Sequence, residues 1–383
     1  MAGAGRGPGV DGLRAARAGP RAPVAVKRMD AVRTREARAR AQGLGGAATT
    51  VVDAVRRVVG VQAQDVRAAR LAVRVRTTGL TADDVDRACR ERTVVRTWAM
   101  RGTLHMLAAG DFGWVTGLLG PYFAKKGAPR RRQLDLDDAL LERAAAVIEE
   151  IAIEPLTRRD LVARLADKGI RLDPRSQQPA HLVGWAANTG LLCRGPDLAK
   201  DEPTYVLVRE WLGLQRALDE DEALARLAER YLRGHGPASA DDLAMWSGLP
   251  ITQARAALAA VGDRTEAVEA AGVPAVVLQE DEQPDAPTRL LGHFDAYLLG
   301  YRGRDLAVPA EHRKTVQAGG GFVMPVVLHR GEAAGTWRLK STKDELAVEV
   351  GMFHDRKVAG IGNEVIDIGR FLHRKVTLET PIE

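Results

Sequence analysis

The chain has 383 residues, 45% of them hydrophobic, enough for two or three domains with cores of ordinary size. Its 56 Lys and Arg against 50 Asp and Glu leave a formal charge of +6, which favours an anionic partner without naming one. Two cysteines, Cys89 and Cys193, exclude a cysteine-based zinc module and argue against a disulfide framework, as expected of a reducing cytoplasm. No run approaches the roughly 20 apolar residues of a membrane span, and neither a Walker motif nor a Rossmann fingerprint is present.

Residues 1–28 are rich in Gly, Ala, Arg and Pro and lack a sustained apolar run. They read as a disordered arm rather than a secretory signal, with Met29 as an alternative start. Helical patterns follow over Asp30 to Gln42 and Thr50 to Val58, and after Gly60 another helix begins near Asp65. Thr81-Ala82-Asp83-Asp84, Thr157-Arg158-Arg159-Asp160 and Ser239-Ala240-Asp241-Asp242 then share one grammar. Each sets a hydroxyl three residues before an Asp and opens an apolar helical pattern. The hydroxyl can cap the first turn, and the Asp sits where the helix dipole favours negative charge. Starts about eighty residues apart indicate repeated modules.

The stretches after these caps follow the order of a winged helix-turn-helix. The first cap leads a helix to Arg90 and then two β-prone runs, Val94 to Trp98 and Thr103 to Leu107, with Arg101-Gly102 at the turn: a wing hairpin. The second leads a helix over Leu161 to Ala166, another over Pro179 to Asn188, and a strand over Thr204 to Val208. The third leads Leu243 to Trp246, a break at Gly248-Leu249-Pro250, a helix over Thr252 to Val261 and a strand at Val276 to Leu278. Linking helices are expected over Leu136 to Ile151 and Asp219 to Arg233. From about residue 285 the texture becomes β-rich, with short strands around Phe322 to Leu328, Trp337 to Leu339 and Leu346 to Val350, as in a small barrel. The divisions are then a 1–28 arm, modules over 29–135, 136–218 and 219–284, and a C-terminal domain over 285–383.

Gln62 and Gln64 flank Ala63 in the segment between Gly60 and Asp65. In an extended backbone the two amides project to one side and can hold a water molecule; in a helix they would stand about 200° apart. Two roles fit the pair: water positioning, or capping of the next helix and local backbone bonding.

Gly60-Val61-Gln62-Ala63-Gln64-Asp65 followed by Arg96-Thr97-Trp98-Ala99-Met100-Arg101-Gly102-Thr103-Leu104-His105 resembles the AlkZ-like (YcaQ-like) bacterial DNA glycosylases. Arg233 to Ser239, Trp246-Ser247-Gly248-Leu249, Phe294 to Arg302 and Glu311-His312-Arg313-Lys314 are also similar to that family, in order, over roughly residues 40 to 355. The resemblance implies an α+β fold of three tandem winged helix-turn-helix modules around a DNA-binding channel, with a C-terminal β-barrel-like domain. It maps the catalytic Gln-Φ-Gln signature onto Gln62 and Gln64, the form of the AlkZ branch associated with self-resistance to the crosslinking antibiotic azinomycin B. Ala63 is a small occupant of the middle position.

The implied substrate is double-stranded DNA carrying alkylated or crosslinked purines. An N7-alkylated guanine is cationic and leaves without protonation, so two neutral amides that place a water suffice. Arg101, Thr103 and His105 on the wing are candidate DNA contacts, although His105 and Trp98 could equally pack the hairpin. Lys125, Lys126, Arg130, Arg131 and Arg132, interrupted by Gly127 and Pro129, form the densest basic cluster; such a run is often a solvated loop, but in a channel protein phosphate contact is the favoured reading. His312, Arg313 and Lys314 are a weaker set. His293 and Asp295 lack a third metal ligand nearby, and no cofactor or metal is expected. The competing class is a non-enzymatic winged-helix regulator, which usually dimerises on a palindrome. No heptad seam long enough for an obvious dimer interface is present, so a monomer is expected.

Overall fold

The computed structural model describes Gly3 and residues 26–279, 283–341, 345–355 and 357–379. The strand β1 (Lys27–Met29) and helix α1 (Ala31–Ala41) open it. Three times the chain then runs helix, strand, helix, helix, hairpin. The first unit comprises α2 (Val51–Arg57), β2 (Val61–Gln62), α3 (Val66–Arg74), α4 (Ala82–Arg90), β3 (Val94–Trp98) and β4 (Leu104–Ala108). A long helix, α5 (Phe112–Gln133), leads to the second: α6 (Asp138–Ile151), β5 (Leu156–Thr157), α7 (Arg158–Asp167), α8 (Gln178–Asn188), β6 (Leu192–Arg194) and β7 (Thr204–Leu207). After α9 (Val208–Leu212) the third has α10 (Glu220–His235), α11 (Ala240–Ser247), α12 (Ile251–Ala259), β8 (Thr265–Ala270) and β9 (Val273–Leu278). Its first strand is reduced to one bridge, Ala238 with Val276.

The three hydroxyls cap helices. Thr81 and Ser239 form complete capping boxes with Asp84 and Asp242, and Thr157 accepts from the Asp160 N–H. Their frame differs from the one the sequence suggests. Thr157 and Ser239 start the helix that follows the unit's first strand, whereas Thr81 starts the helix after that. In the first unit the equivalent place belongs to Asp65, the cap of α3.

The units are fused rather than strung. The hairpins of the first two share one six-stranded sheet, ordered β2-β4-β3-β6-β7-β5, joined where Arg96 pairs Arg194. One core unites the first hairpin (Val95, Met100, Leu107), α5 (Phe112, Trp114, Leu119, Phe123) and the third unit (Leu227, Tyr231, Leu243, Trp246). That core brings the end of α11 against the first hairpin turn.

The structure corrects three further sequence expectations. Lys27 and Arg28, assigned to a disordered arm, lie in β1, which pairs in parallel with β8; the rest of that arm, apart from Gly3 and Val26, lies outside the described residues. The basic cluster from Lys125 to Arg132 is helical, not a loop, because α5 runs 22 residues through Pro121 and Pro129. Each proline removes a helix hydrogen bond, but the apolar side of α5 is anchored in the shared core. Gly120 lets it approach α8: an added Cβ would lie 2.1 Å from the Asn188 carbonyl oxygen.

The third correction concerns the C-terminal domain, which is an open sheet, not a barrel. After β10 (Arg289–Leu291) come short helices α13 (Ala296–Leu299) and α14 (Arg313–Val316), then β11 (Val326–His329), β12 (Glu332–Ser341), β13 (Leu346–Met352), α15 (Ile361–Leu372) and β14 (Val376–Glu379). Sheet order is β10-β11-β12-β13-β14, with no closing pair among the described residues. The last strand arrives parallel to β13 through the α15 crossover. Val365 and Ile368 of α15 cover Leu290, Val327, Trp337 and Val348, so a helix rather than strand closure buries that face. No helix of the described residues is long and apolar enough to cross a membrane.

Candidate active site

Strand β2 pairs with β4 so that Gln62 lies opposite His105, and the Ala63 N–H still donates to the Leu104 carbonyl at 2.8 Å. The chain then leaves the sheet, and Asp65 restarts helix by accepting from the N–H groups of Arg67 and Ala68. The backbone from 62 to 64 is therefore not helical, and the two amides meet: Gln62 Nε2 donates to Gln64 Oε1 at 2.9 Å. Ala63 is buried, Gln62 is 9% exposed, and Gln64 reaches solvent.

The turn of the first hairpin holds this pair from behind. Arg101 adopts a left-handed backbone (φ 58°) in the short 3₁₀ turn Met100–Gly102. Its guanidinium donates from Nη2 to Gln62 Oε1 at 2.8 Å and from Nη1 to the Trp246 carbonyl at 2.7 Å. His105 Nε2 lies 3.5 Å from the same Nη2, and His105 Nδ1 lies 2.9 Å from the Thr103 carbonyl. An N–H on Nδ1 donating to that carbonyl leaves Nε2 as an acceptor, which describes a neutral ring. Burial, reinforced by the Arg101 charge, pushes the His105 pKa down to about 3. Burial also lowers the Arg101 pKa to about 10, with Arg304 adding to the effect. Gly248, the left-handed cap of α11 (φ 82°), makes this junction possible. A Cβ there would lie 2.9 Å from both Arg101 Cα and the Phe123 ring.

In front of the pair opens a cavity of about 790 Å³. The first unit gives it Gln62, Gln64, Asp65, Arg101 and Thr103; α11 gives Met245; the C-terminal domain gives Phe294, Tyr301, Arg302, Arg304 and Gly320 to Phe322. Phe322 is 46% exposed and packs edge-on against Phe294 at 4.9 Å, while Met245 is 51% exposed. Exposed apolar faces beside arginines form a surface on which a nucleobase can stack.

The sequence-derived DNA contacts divide. Arg101 is partly buried on the cavity wall and donates to Gln62 and Trp246, while His105 is 2% exposed. Thr103 is half-buried on the cavity wall, its hydroxyl donating to the Met100 carbonyl. Lys125, Lys126 and Arg132 stand exposed on α5, and Lys126 lies over the rings of Tyr122 and Phe123. Arg130 is exposed but bonded to Gln133 and Gln177. Arg131 is turned in, only 6% exposed, donating to the Ala124 carbonyl. His312 stacks on Phe353, Arg313 pairs with Asp305, and neither these nor Lys314 line the cavity.

Asp295 belongs to a buried bidentate pair with Arg76, and His293 Nδ1 bonds the Val323 carbonyl, so they make no metal pair. Glu311, His312 and His354 do gather on the surface with ligand atoms within 4.8 Å of one another, away from the cavity lining. Sequence reasoning missed Met245, Tyr301, Arg304 and Phe322 as cavity residues. The signals for that wall were the stretch Phe294 to Arg302, which includes Tyr301, and the Gly319-Gly320-Gly321 break before Phe322.

Comparison with known proteins gives this arrangement its class: a DNA N-glycosylase. The model of the family described as DNA glycosylase AlkZ-like matches residues 55–371, and the chain belongs to that family. An interstrand DNA cross-link repair glycosylase of Streptomyces sahachiroi is 32% identical over 314 residues, covering 75% of this chain and 81% of the relative. The solved structure of the Streptomyces sahachiroi DNA glycosylase AlkZ matches with a TM-score of 0.73 at 27% identity, covering 92% of this chain and all of that one. A non-enzymatic regulator is thereby set aside.

Proposed function

We propose that this enzyme hydrolyses the N-glycosidic bond of cationic N7-alkylpurines in double-stranded DNA, interstrand crosslinks included, with Gln62 and Gln64 holding the attacking water. The observation that carries this reading is the 2.9 Å bond joining the two amides at the wall of an open cavity. Each Oε1 already accepts one bond, from Arg101 or from Gln62, and keeps one lone pair for an O–H. A water bound there retains a lone pair to face the anomeric carbon. Amides are weak bases, so the chemistry suits a leaving group that is already cationic and a sugar already becoming an oxocarbenium ion.

Crosslinks fit because a tethered nucleotide cannot rotate fully into a closed pocket, and this cavity is open. Unhooking of that kind is what self-resistance to a crosslinking antibiotic requires. Lys125, Lys126 and Arg132, exposed on α5, offer the phosphate contacts.

The test is incubation with duplexes carrying N7-methylguanine, a guanine N7 crosslink or uracil, followed by alkali cleavage at abasic sites. Wild type should cleave the first two and spare uracil, and Gln62→Ala and Gln64→Ala should lose both activities. Equal yields from all three proteins, or ready uracil excision, would refute the proposal.

A further inference from the structure

We infer that Arg101 is a positioning residue: it fixes which way the two catalytic amides point. This rests on the reading of Gln62 and Gln64 as the water-holding pair. A carboxamide carries an acceptor and a donor of similar size, and a free one can turn its NH₂ where its oxygen is needed. Arginine has no such ambiguity, because it only donates. With Nη2 at 2.8 Å, the Gln62 oxygen must face Arg101, so its NH₂ must face Gln64, and the oxygen of Gln64 must answer it. One guanidinium thus sets two amides in series and leaves both oxygens available to a water.

Other features of the turn fit this role better than a phosphate contact. Nη1 is held by the Trp246 carbonyl and Nη2 also reaches His105, two partners that do not line the cavity. No carboxylate is among these partners. Trp246 lies in the last turn of α11, where the helix dipole is negative and offsets a buried cation. The left-handed backbone of Arg101 and the missing side chain at Gly248 let hairpin and helix close to this distance. The third unit, which contributes no member of the amide pair, therefore holds that pair in register through one carbonyl.

The experiment uses the full chain and four variants: Arg101→Met, Arg101→Lys, Gln62→Ala and the double variant Arg101→Met/Gln62→Ala. Single-turnover excision of N7-methylguanine is measured beside the Kd for undamaged duplex. Arg101→Met should slow excision by about 10- to 100-fold, the range for a hydrogen bond to a charged group, with Kd within about twofold of wild type. Arg101→Lys, which puts one Nζ in place of two separately placed Nη groups, should recover part of the rate, and it carries the test if the Met variant fails to fold. The double variant should be little slower than Gln62→Ala alone, since no oriented amide remains to lose. Multiplicative losses would overturn the inference. So would an unchanged rate with weaker, less salt-dependent DNA binding, which marks a phosphate contact. If Gln62→Ala itself keeps the wild-type rate, the underlying reading falls and this inference with it.

Discussion

The first and second units repeat one order of elements but treat the junction after the first strand differently. In the second, β5 ends at Thr157, and that residue also caps α7, so strand passes into helix without a gap. The third is similar, with the bridge at Ala238 and the cap at Ser239. In the first, β2 ends at Gln62 but the cap is Asp65, leaving Ala63 and Gln64 between. Those two residues let the chain bend out of the sheet, bury the Ala63 methyl and carry the second amide to solvent. The proposed catalytic pair thus sits in a lengthened cap junction, on a unit whose siblings use the same place only to start a helix.

Removing the extra length is the strongest way to break that comparison. Deletion of Ala63 and Gln64 should rejoin β2 to Asp65 in the manner of the other units, with loss of at least about 100-fold in excision, the scale of losing a group that contacts the reacting atoms. Circular dichroism should report a folded chain; retained excision would dissociate activity from the junction. The corresponding change in the second unit, Thr157→Ala, should cost only the usual cap contribution of about 1 kcal/mol and leave excision unchanged.

Gly248→Ala sharpens the link between the first hairpin and the third unit. The new methyl meets Arg101 Cα at 2.9 Å in a left-handed position, so about 1–3 kcal/mol of stability should be lost. Excision should fall with it as the Arg101 turn is displaced. Thermal melts and single-turnover rates report the two effects, and a wild-type rate would show that the close approach is not needed.

Much of this organisation can be read in the amino-acid sequence, because caps and alternating apolar runs are local. Thr157 and Ser239 announce their helices, and Val94 to Leu107 announces a hairpin. Local patterns could not show which strand each cap follows, and so placed Thr81 in the frame that belongs to Asp65. They placed Lys125 to Arg132 in a loop, since the anchoring of α5 is tertiary. They left His105 between DNA contact and hairpin packing, and could not show what Arg101 meets across the fold. Its true acceptors, Gln62 and the Trp246 carbonyl, lie 39 and 145 residues away. The open C-terminal sheet was hidden for the same reason, as α15 and its crossover carry no strand signal.

A smaller effect separates the hairpin from exposed parts of the molecule by pH. His105 and His235 are buried and neutral, each with its pKa pushed down to about 3, first by burial. The unfolded chain binds protons at these rings near pH 6.5 while the folded chain does not, so stability present above that pH falls as pH drops toward 3. Between pH 7 and 5 each ring should remove roughly 2 kcal/mol. Denaturant melts should show this slope, and His105→Gln should reduce it by about half; an unchanged slope would mean that the ring is protonated in the fold.

The most direct test of the central claim is the single-turnover rate of Gln64→Ala on a duplex with one N7-methylguanine, with protein in saturating excess. Gln64 reaches solvent and supports no core packing, so its loss should leave the melting temperature and DNA affinity near wild type. The account predicts a rate lower by about 100-fold or more. A wild-type rate from a fully folded Gln64→Ala enzyme would contradict it.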